Sequence, residues 1–337
     1  MHTTMHGRFH TRRRLLGGAL GLAALTARFA RAPRADAATA APGAAAGGAV
    51  GAAAPAAAAG RPQLGGDLTV NRMGFGAMRL TGAGIWGEPQ DPAQARRVLH
   101  RALDLGVDFI DTSDAYGPYV NEELIAATLY PYPRGLVIAT KGGLLRPGPG
   151  EWVPDGRPEH LRAACEASLR RLRLERIDLY QLHRVDPQVP LEDSLGELRR
   201  LKEEGKIRHV GVSNFSLAEL ERGRRVVPIV SVQNRYNLAD RASGDVLDAC
   251  TRDGLAFIPW APIARGAADK LEGGASAAVE TVARAHGVTV LQLGIAWLLA
   301  RSPVMLPIPG TGSVDHLDEN VAAAALRLTP ADLAALG

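Results

Sequence analysis

The chain has 337 residues, 46% hydrophobic and 22% charged, a balance that fits a folded globular protein and excludes a wholly disordered or fibrous one. Its formal charge of +4 marks no nucleic-acid partner: residues 1–37 hold seven arginines against one acid, Asp36, leaving 32 bases against 34 acids in the rest. The two cysteines, Cys165 and Cys250, lie in helix-like stretches without metal-ligand spacing and read as small core residues.

In chain order, Thr11-Arg12-Arg13-Arg14-Leu15-Leu16 comes first, ahead of an uncharged Gly, Leu and Ala run to Ala27 that is too short for a membrane span. This segment resembles a twin-arginine export signal. The resemblance implies the twin-arginine translocation machinery as a partner, an exported location, and cleavage after the Ala35-Asp36-Ala37 triplet. Two readings compete with it: a start assigned too far upstream, which leaves the protein cytoplasmic, and a basic disordered arm. Residues 38–63 are dominated by Ala, Gly and Pro, and such a stretch is expected to be a disordered linker. The folded body is expected over 64–337.

There, Gly65-Gly66 with Leu68-Thr69-Val70 reads as part of a β-hairpin, and strand-like apolar runs follow at 73–78, 109–111, 136–141, 177–183, 207–213, 229–236, 256–260 and 304–308. Amphipathic helical patterns lie between them, among others at 93–105, 158–172, 191–204 and 276–286, with Asp91-Pro92 as a cap and first turn. Strand and helix alternating eight times is the order of a (β/α)8 barrel, which takes about 250 residues. The alternative, a doubly wound sheet, calls for a Gly-x-Gly-x-x-Gly turn after its first strand, and Gly74, Gly76 and Gly82 do not have that spacing.

A barrel carries its chemistry at the C-terminal ends of its strands. Asp111, Lys141 and His183 close three successive strand runs, and Tyr116 lies five residues beyond Asp111. Neighbouring strands lie about 4.8 Å apart, so these ends bring carboxylate, ammonium and imidazole together beneath the Tyr116 loop. An ammonium favours phenolate, so Lys141 is expected to lower the pKa of Tyr116, with Asp111 holding Lys141 charged. His183 is expected to orient a substrate oxygen, and Tyr116 to give it a proton. Asp114 is expected to serve the turn or to cap the next helix. Singly each residue has a structural explanation as cap, solvated charge, core histidine or loop aromatic; their joint placement argues for a site.

The stretch Asp111-Thr112-Ser113-Asp114-Ala115-Tyr116-Gly117, with Asn121-Glu122 behind it, resembles the aldo/keto reductase signature, and Lys141 and His183 match the rest of that family's tetrad. The runs Gly205-Lys206-Ile207-Arg208-His209-Val210-Gly211-Val212-Ser213-Asn214-Phe215 and Gln233-Asn234 are similarly close, and the resemblance extends from Leu64 to the C-terminus. It implies a reversible nicotinamide-dependent reduction of an aldehyde or ketone. Ser213, Asn214 and Gln233 match residues that hold the nicotinamide carboxamide, and Trp260 matches the aromatic residue that stacks on the ring. Ala261, Ile263, Arg265 and Gly266 belong to a segment like the family's pyrophosphate loop. The adenosine end is expected along 308–320, with Glu319 and Asn320 as adenine contacts and a helix N-terminus near Ser313 facing an anion.

Many members have a lysine where this chain has Gly310 and an arginine where it has His316. Thr311, Gly312 and Ser313 then supply hydroxyl and backbone donors, and NADPH is preferred over NADH. Gly84-Ile85-Trp86, Gly117-Pro118-Tyr119, Leu129-Tyr130-Pro131-Tyr132 and Trp152 resemble a bacterial branch that includes pyridoxal reductases. Trp86, Tyr119 and Trp152 are expected to wall the substrate pocket, and pyridoxal is a candidate substrate. No metal is expected, since the strand ends lack a histidine set for a metallohydrolase, and they lack the opposed carboxyl pair of a glycosidase. A nucleotide-binding sensor or auxiliary subunit on the same fold is the alternative function.

Overall fold

The computed structural model describes residues 54–262 and 274–337. The expected signal segment, its cleavage site and the first part of the expected linker lie outside the described residues. An antiparallel hairpin, β1 (Gln63–Leu64) and β2 (Leu68–Thr69), comes ahead of the barrel strands. The barrel strands are β3 (Phe75–Gly76), β4 (Phe109–Asp111) and β5 (Val137–Gly142). After a small hairpin of β6 (Leu144–Leu145) and β7 (Val153–Pro154) come β8 (Ile177–Leu182), β9 (Ile207–Ser213), β10 (Ile229–Gln233) and β11 (Ala256–Phe257). The seven barrel strands form one parallel sheet, each paired with the next along the chain.

The eighth run closes the ring without forming a ladder of its own. Met305 bridges Phe257, Leu306 N donates to Phe257 O (2.8 Å), and Gly74 N donates to Pro307 O (3.0 Å). Pro303, Pro307 and Pro309 have no N–H to give, which is why this stave departs from the strand expected at 304–308. The first strand is likewise shorter than expected, because Ala77–Arg79 turns into a 3₁₀ helix. On the far side of the seam, backbones approach so closely that a Cβ at Gly310 would lie 2.3 Å from Gly76 O.

Strand alternation sends Phe109, Ala139, Leu179, Ile258, Leu306 and Ile308 inward, where they pack with Leu64, Leu68 and Val70 of the hairpin. Asp67 fastens that hairpin to the start of β9, accepting from Arg208 (2.8 Å) and His209 (2.6 Å). The barrel is thereby closed at the N-terminal ends of its strands, leaving the other end for a site. Outside the ring, α1 (Pro92–Asp104) begins at Asp91, whose side chain accepts from Gln94 N (2.8 Å), as the sequence predicts. Helix α2 covers Val120–Leu129. Helix α3 (Pro158–Leu172) buries Leu161, Cys165, Ser168 and Leu172, one stripe at helical spacing, and ends on Arg173 in the left-handed region at φ 54°. Both cysteines are free and buried, and burial pushes their thiols up to about 12.

The end of the expected linker is part of the fold. Pro55–Ala59 is a 3₁₀ helix whose Ala56 and Ala59 pack in one cluster with Ala102, Leu105, Ala323 and Ala324, and Ala56 N donates to Leu105 O (3.0 Å). Alanine buries little area singly, but facing methyl groups let backbones come close enough to share hydrogen bonds. Arg72 ties this piece to the seam, donating to Ala59 O (3.3 Å), Met305 O (3.0 Å), Leu299 O (2.7 Å) and Ser302 O (2.6 Å). Arg72→Met keeps the aliphatic stem and strips four carbonyls of a charged donor. We expect it to cost about 3 kcal/mol of unfolding free energy by urea titration. A loss under about 0.5 kcal/mol would mean that water replaces the guanidinium there.

Candidate active site

A cleft of about 400 Å³ opens at the C-terminal ends of the strands, lined among others by Asp111, Tyr116, Trp152, His183, Gln233 and Trp260. Asp111 ends β4 and Lys141 lies in β5, while His183 follows β8 with its N–H donating to Gly142 O (2.9 Å). Lys141 has no solvent exposure, and Asp111 has 2%. The ammonium uses all three of its donors, on Asp111 Oδ1 (2.5 Å), Thr112 O (2.9 Å) and the Tyr116 hydroxyl (3.3 Å). The second Asp111 oxygen accepts from Gln181 Nε2 and Gln233 Nε2, both at 2.9 Å. Gln181 belongs to the site although the sequence reading passed over it. The available signal is its place two residues before His183, on the same face of the strand.

Burial by itself lowers the pKa of Lys141, but the Asp111 carboxylate beside it reverses the sign and holds the group above its ordinary value. For Tyr116 the balance differs from expectation: burial raises the phenol, and the pull of Lys141 in the other direction does not overcome it. Burial, followed by the charges of Lys141, Arg184 and Arg146, holds His183 well below its usual range, so the ring is neutral. His183 Nδ1 faces Ser113 Oγ at 3.1 Å, and its ring stands edge-on to Tyr116 with centroids 5.9 Å apart. Because the Tyr116 oxygen accepts from Lys141, and its own O–H meets no acceptor among the described residues, that proton is free to face the cleft.

The expected nucleotide contacts divide into several groups. Asn214, Gln233, Trp260, Ala261 and Gly310 line the cleft. Ser213 does not, since its hydroxyl donates to Gln233 O (2.9 Å). The Asn214 amide is engaged internally, donating to His183 O (3.1 Å) and accepting from Trp260 Nε1 (3.0 Å), which sets the indole on the cleft wall. Thr311 and Ser313 are turned to each other and to the start of α9 (Val314–Ala322), the helix after α4 to α8 (Leu191–Glu203, Leu217–Gly223, Gly244–Asp253, Gly274–Ala285, Val290–Arg301), and Ser313 Oγ caps it by accepting from His316 N. His316 and Glu319 are exposed on α9 and Asn320 is buried. Ile263, Arg265 and Gly266 lie outside the described residues.

Of the expected substrate wall, Trp152 lines the cleft and stands edge-on to Tyr116 at 6.3 Å, with the Arg146 guanidinium 3.7 Å above its ring. Trp86 and Tyr119 are corrections. With Gly84 at φ 68° and Ile85 at φ 57°, the backbone turns so that Ile85, and not Trp86, faces the cleft. Tyr119 is 52% exposed and lines a separate cleft behind α2, beneath Arg171. Met78, Arg79, Leu144 and Arg184 line the main cleft in their stead, from the 3₁₀ turn after β3, from β6 and from the loop after β8, short segments past the barrel strand ends whose inward side periodicity does not mark. Of the two roles expected for Asp114, the turn is met by its backbone carbonyl, which accepts from Tyr119 N (2.7 Å), and the cap is not: its side chain caps no helix but is buried and accepts from Ser113 Oγ (3.1 Å).

Asp111→Asn leaves the Lys141 ammonium buried without a counter-charge. We expect it to lower unfolding free energy by about 3 to 5 kcal/mol, read from the shift in urea midpoint at constant slope. An unchanged midpoint would show that the ammonium gives up its proton at little cost.

The model of the family described as "Aldo/keto reductase family" matches residues 72–337. An uncharacterised oxidoreductase of Schizosaccharomyces pombe is 50% identical over 264 residues, which are 78% of this chain and 85% of that protein. Pyridoxine 4-dehydrogenase of Escherichia coli is 41% identical over 277 residues, 80% of this chain and 95% of that one. Among solved structures, an aldo-keto reductase from Klebsiella pneumoniae in complex with NADPH superposes with a TM-score of 0.69 at 28% identity, covering 82% of this chain and 93% of that one. With a barrel whose strand ends gather an aspartate, a lysine, a tyrosine and a histidine, and a family model that matches most of its length, the chain belongs to the aldo/keto reductase family.

Proposed function

We propose that the protein reduces an aldehyde or ketone to the alcohol, reversibly, with NADPH as hydride carrier and Tyr116 as proton donor. The observation that carries this reading is the phenol oxygen held by Lys141 while its own proton is left to the cleft. A bound nicotinamide dinucleotide supplies the hydride. The cleft fits such a group: the Trp260 indole offers a flat wall, Gln233 Oε1 accepts no hydrogen bond from the described residues and is free to take one, and Arg79 and Arg184 put two cations at the cleft without an ion pair among the described residues. Those cations complement phosphate, and the Klebsiella relative is a complex with NADPH.

As charge develops on the substrate oxygen, Tyr116 transfers its proton to it, and Lys141 stabilises the phenolate left behind. Asp111, itself held by Gln181 and Gln233, keeps Lys141 charged and fixed so that no reorganisation accompanies the transfer. Neutral His183 faces the same cleft and orients the oxygen. For the substrate, we infer pyridoxal. Support comes from the 41% identity to pyridoxine 4-dehydrogenase and from the aromatic wall of Trp152, which suits a planar ring.

Tyr116→Phe should reduce turnover by roughly a thousandfold, the scale of positioned proton transfer, while nucleotide binding followed by tryptophan fluorescence is kept. Retained turnover would remove Tyr116 as donor. Following NADPH consumption with pyridoxal and with a panel of simple aldehydes tests the substrate. If the panel is used efficiently and pyridoxal is not, pyridoxal is excluded.

A further inference from the structure

The Ser113 hydroxyl carries one hydrogen and faces more acceptors than it can satisfy. It lies 3.1 Å from Asp114 Oδ1, 3.1 Å from His183 Nδ1 and 3.4 Å from Lys141 O, and it already accepts from Ala115 N at 3.1 Å. One lone pair therefore remains, and its use depends on where the hydrogen goes. With a charged Asp114, the hydroxyl donates to the carboxylate and accepts Nδ1–H from His183. A neutral imidazole that spends its hydrogen on Nδ1 leaves Nε2 bare. With a protonated Asp114, the direction reverses: the acid donates to Ser113, Ser113 donates to Nδ1, and the imidazole hydrogen resides on Nε2. The reversal adds one proton, taken up by Asp114, and moves one hydrogen from Nδ1 to Nε2 of His183.

We propose that Asp114 is a positioning residue that acts through Ser113 to set which nitrogen of His183 carries the hydrogen, and so whether the site offers a donor to a carbonyl oxygen or an acceptor to a hydroxyl. The proposal deepens the reductase reading and rests on it for its consequence in turnover. Several groups face Asp114. Glu122 on α2 has no exposure and repels a second negative charge, Arg171 on α3 opposes it while paired with Glu122 at 2.6 Å, and Tyr116 and Tyr180 lie within reach of its field. Arg146 and His160 share with it a cleft of about 460 Å³, separate from the active-site cleft, which gives the carboxyl a way to exchange protons. Burial foremost, then Glu122, pushes the Asp114 carboxyl up to about 7. Below that pH the site is a donor, and above it an acceptor.

Two readouts test the relay. In ¹⁵N spectra of histidine-labelled free protein, the His183 signal, identified by its absence in His183→Asn, should move its hydrogen from Nε2 to Nδ1 as pH rises through about 7. In turnover, the KM for the carbonyl should rise about tenfold between about pH 6 and about pH 8, the worth of one hydrogen bond, while the KM for the alcohol falls. Asp114→Asn should abolish both inflections. Should that variant fail to fold, Ser113→Ala cuts the same chain at the price of one hydroxyl. A single His183 tautomer across this range in the parent protein, or a swap that persists in Asp114→Asn or Ser113→Ala, overturns the proposal. A swap seen by ¹⁵N without carbonyl turnover supports the relay and sinks the reductase reading.

Discussion

A lysine ammonium sealed from water is the constraint to which the rest of the site is subordinate. Bringing Lys141 and Asp111 into the barrel mouth forfeits hydration that their mutual attraction alone does not restore. The remaining cost is met by geometry: a backbone carbonyl and a phenol complete the ammonium, and two glutamine amides complete the carboxylate. Those partners come from β8, β10 and the loop after β4, so the pair is solvated by the sheet and its first loop. Closure of the ring is what makes that solvation available, because residues far apart in sequence meet only at its centre.

The same economy shapes the electrostatics around it. Burial first, and then the positive charge already at the centre, keep His183 neutral. A neutral imidazole has one hydrogen to place, and its placement is decided by whichever group touches the far nitrogen. Here that group is a serine hydroxyl next to a buried carboxyl. Polar groups packed this tightly are never independent, and the proton inventory of the whole cluster matters more than the acidity of any member.

Much of the frame was legible in the residues because it is written in periods. Apolar runs mark β5, β8 and β9 well, the stripe on α3 ends where the sequence predicts, and the polar residue ending each apolar run locates the barrel mouth. What escaped has no period. Proline dismantles the ladder of the eighth stave, left-handed Ile85 decides which neighbour turns inward, and the alanines near Ala56 fold only because a matching surface of small residues awaits them. The buried side chain of Asp114 escapes for a related reason: a turn aspartate and a buried acid are identical in one dimension, and only burial, with Glu122 and Arg171 brought in by two helices, separates them. The acidity of Tyr116 was misjudged because proximity to an ammonium is visible in a motif and the depth of burial is not.

A cylinder of strands is only as continuous as its least-stitched joint, and here that joint is the proline-bearing stave between β11 and β3. Where few amides tie neighbours together, local opening needs the least free energy. Opening of the ring is therefore expected first along Ile308 and Gly310, on the wall facing the cleft, with β3 standing between it and the charge pair. Loosening the wall and disturbing the acid are therefore separate events, and the chemistry is insulated from the softest part of its own container.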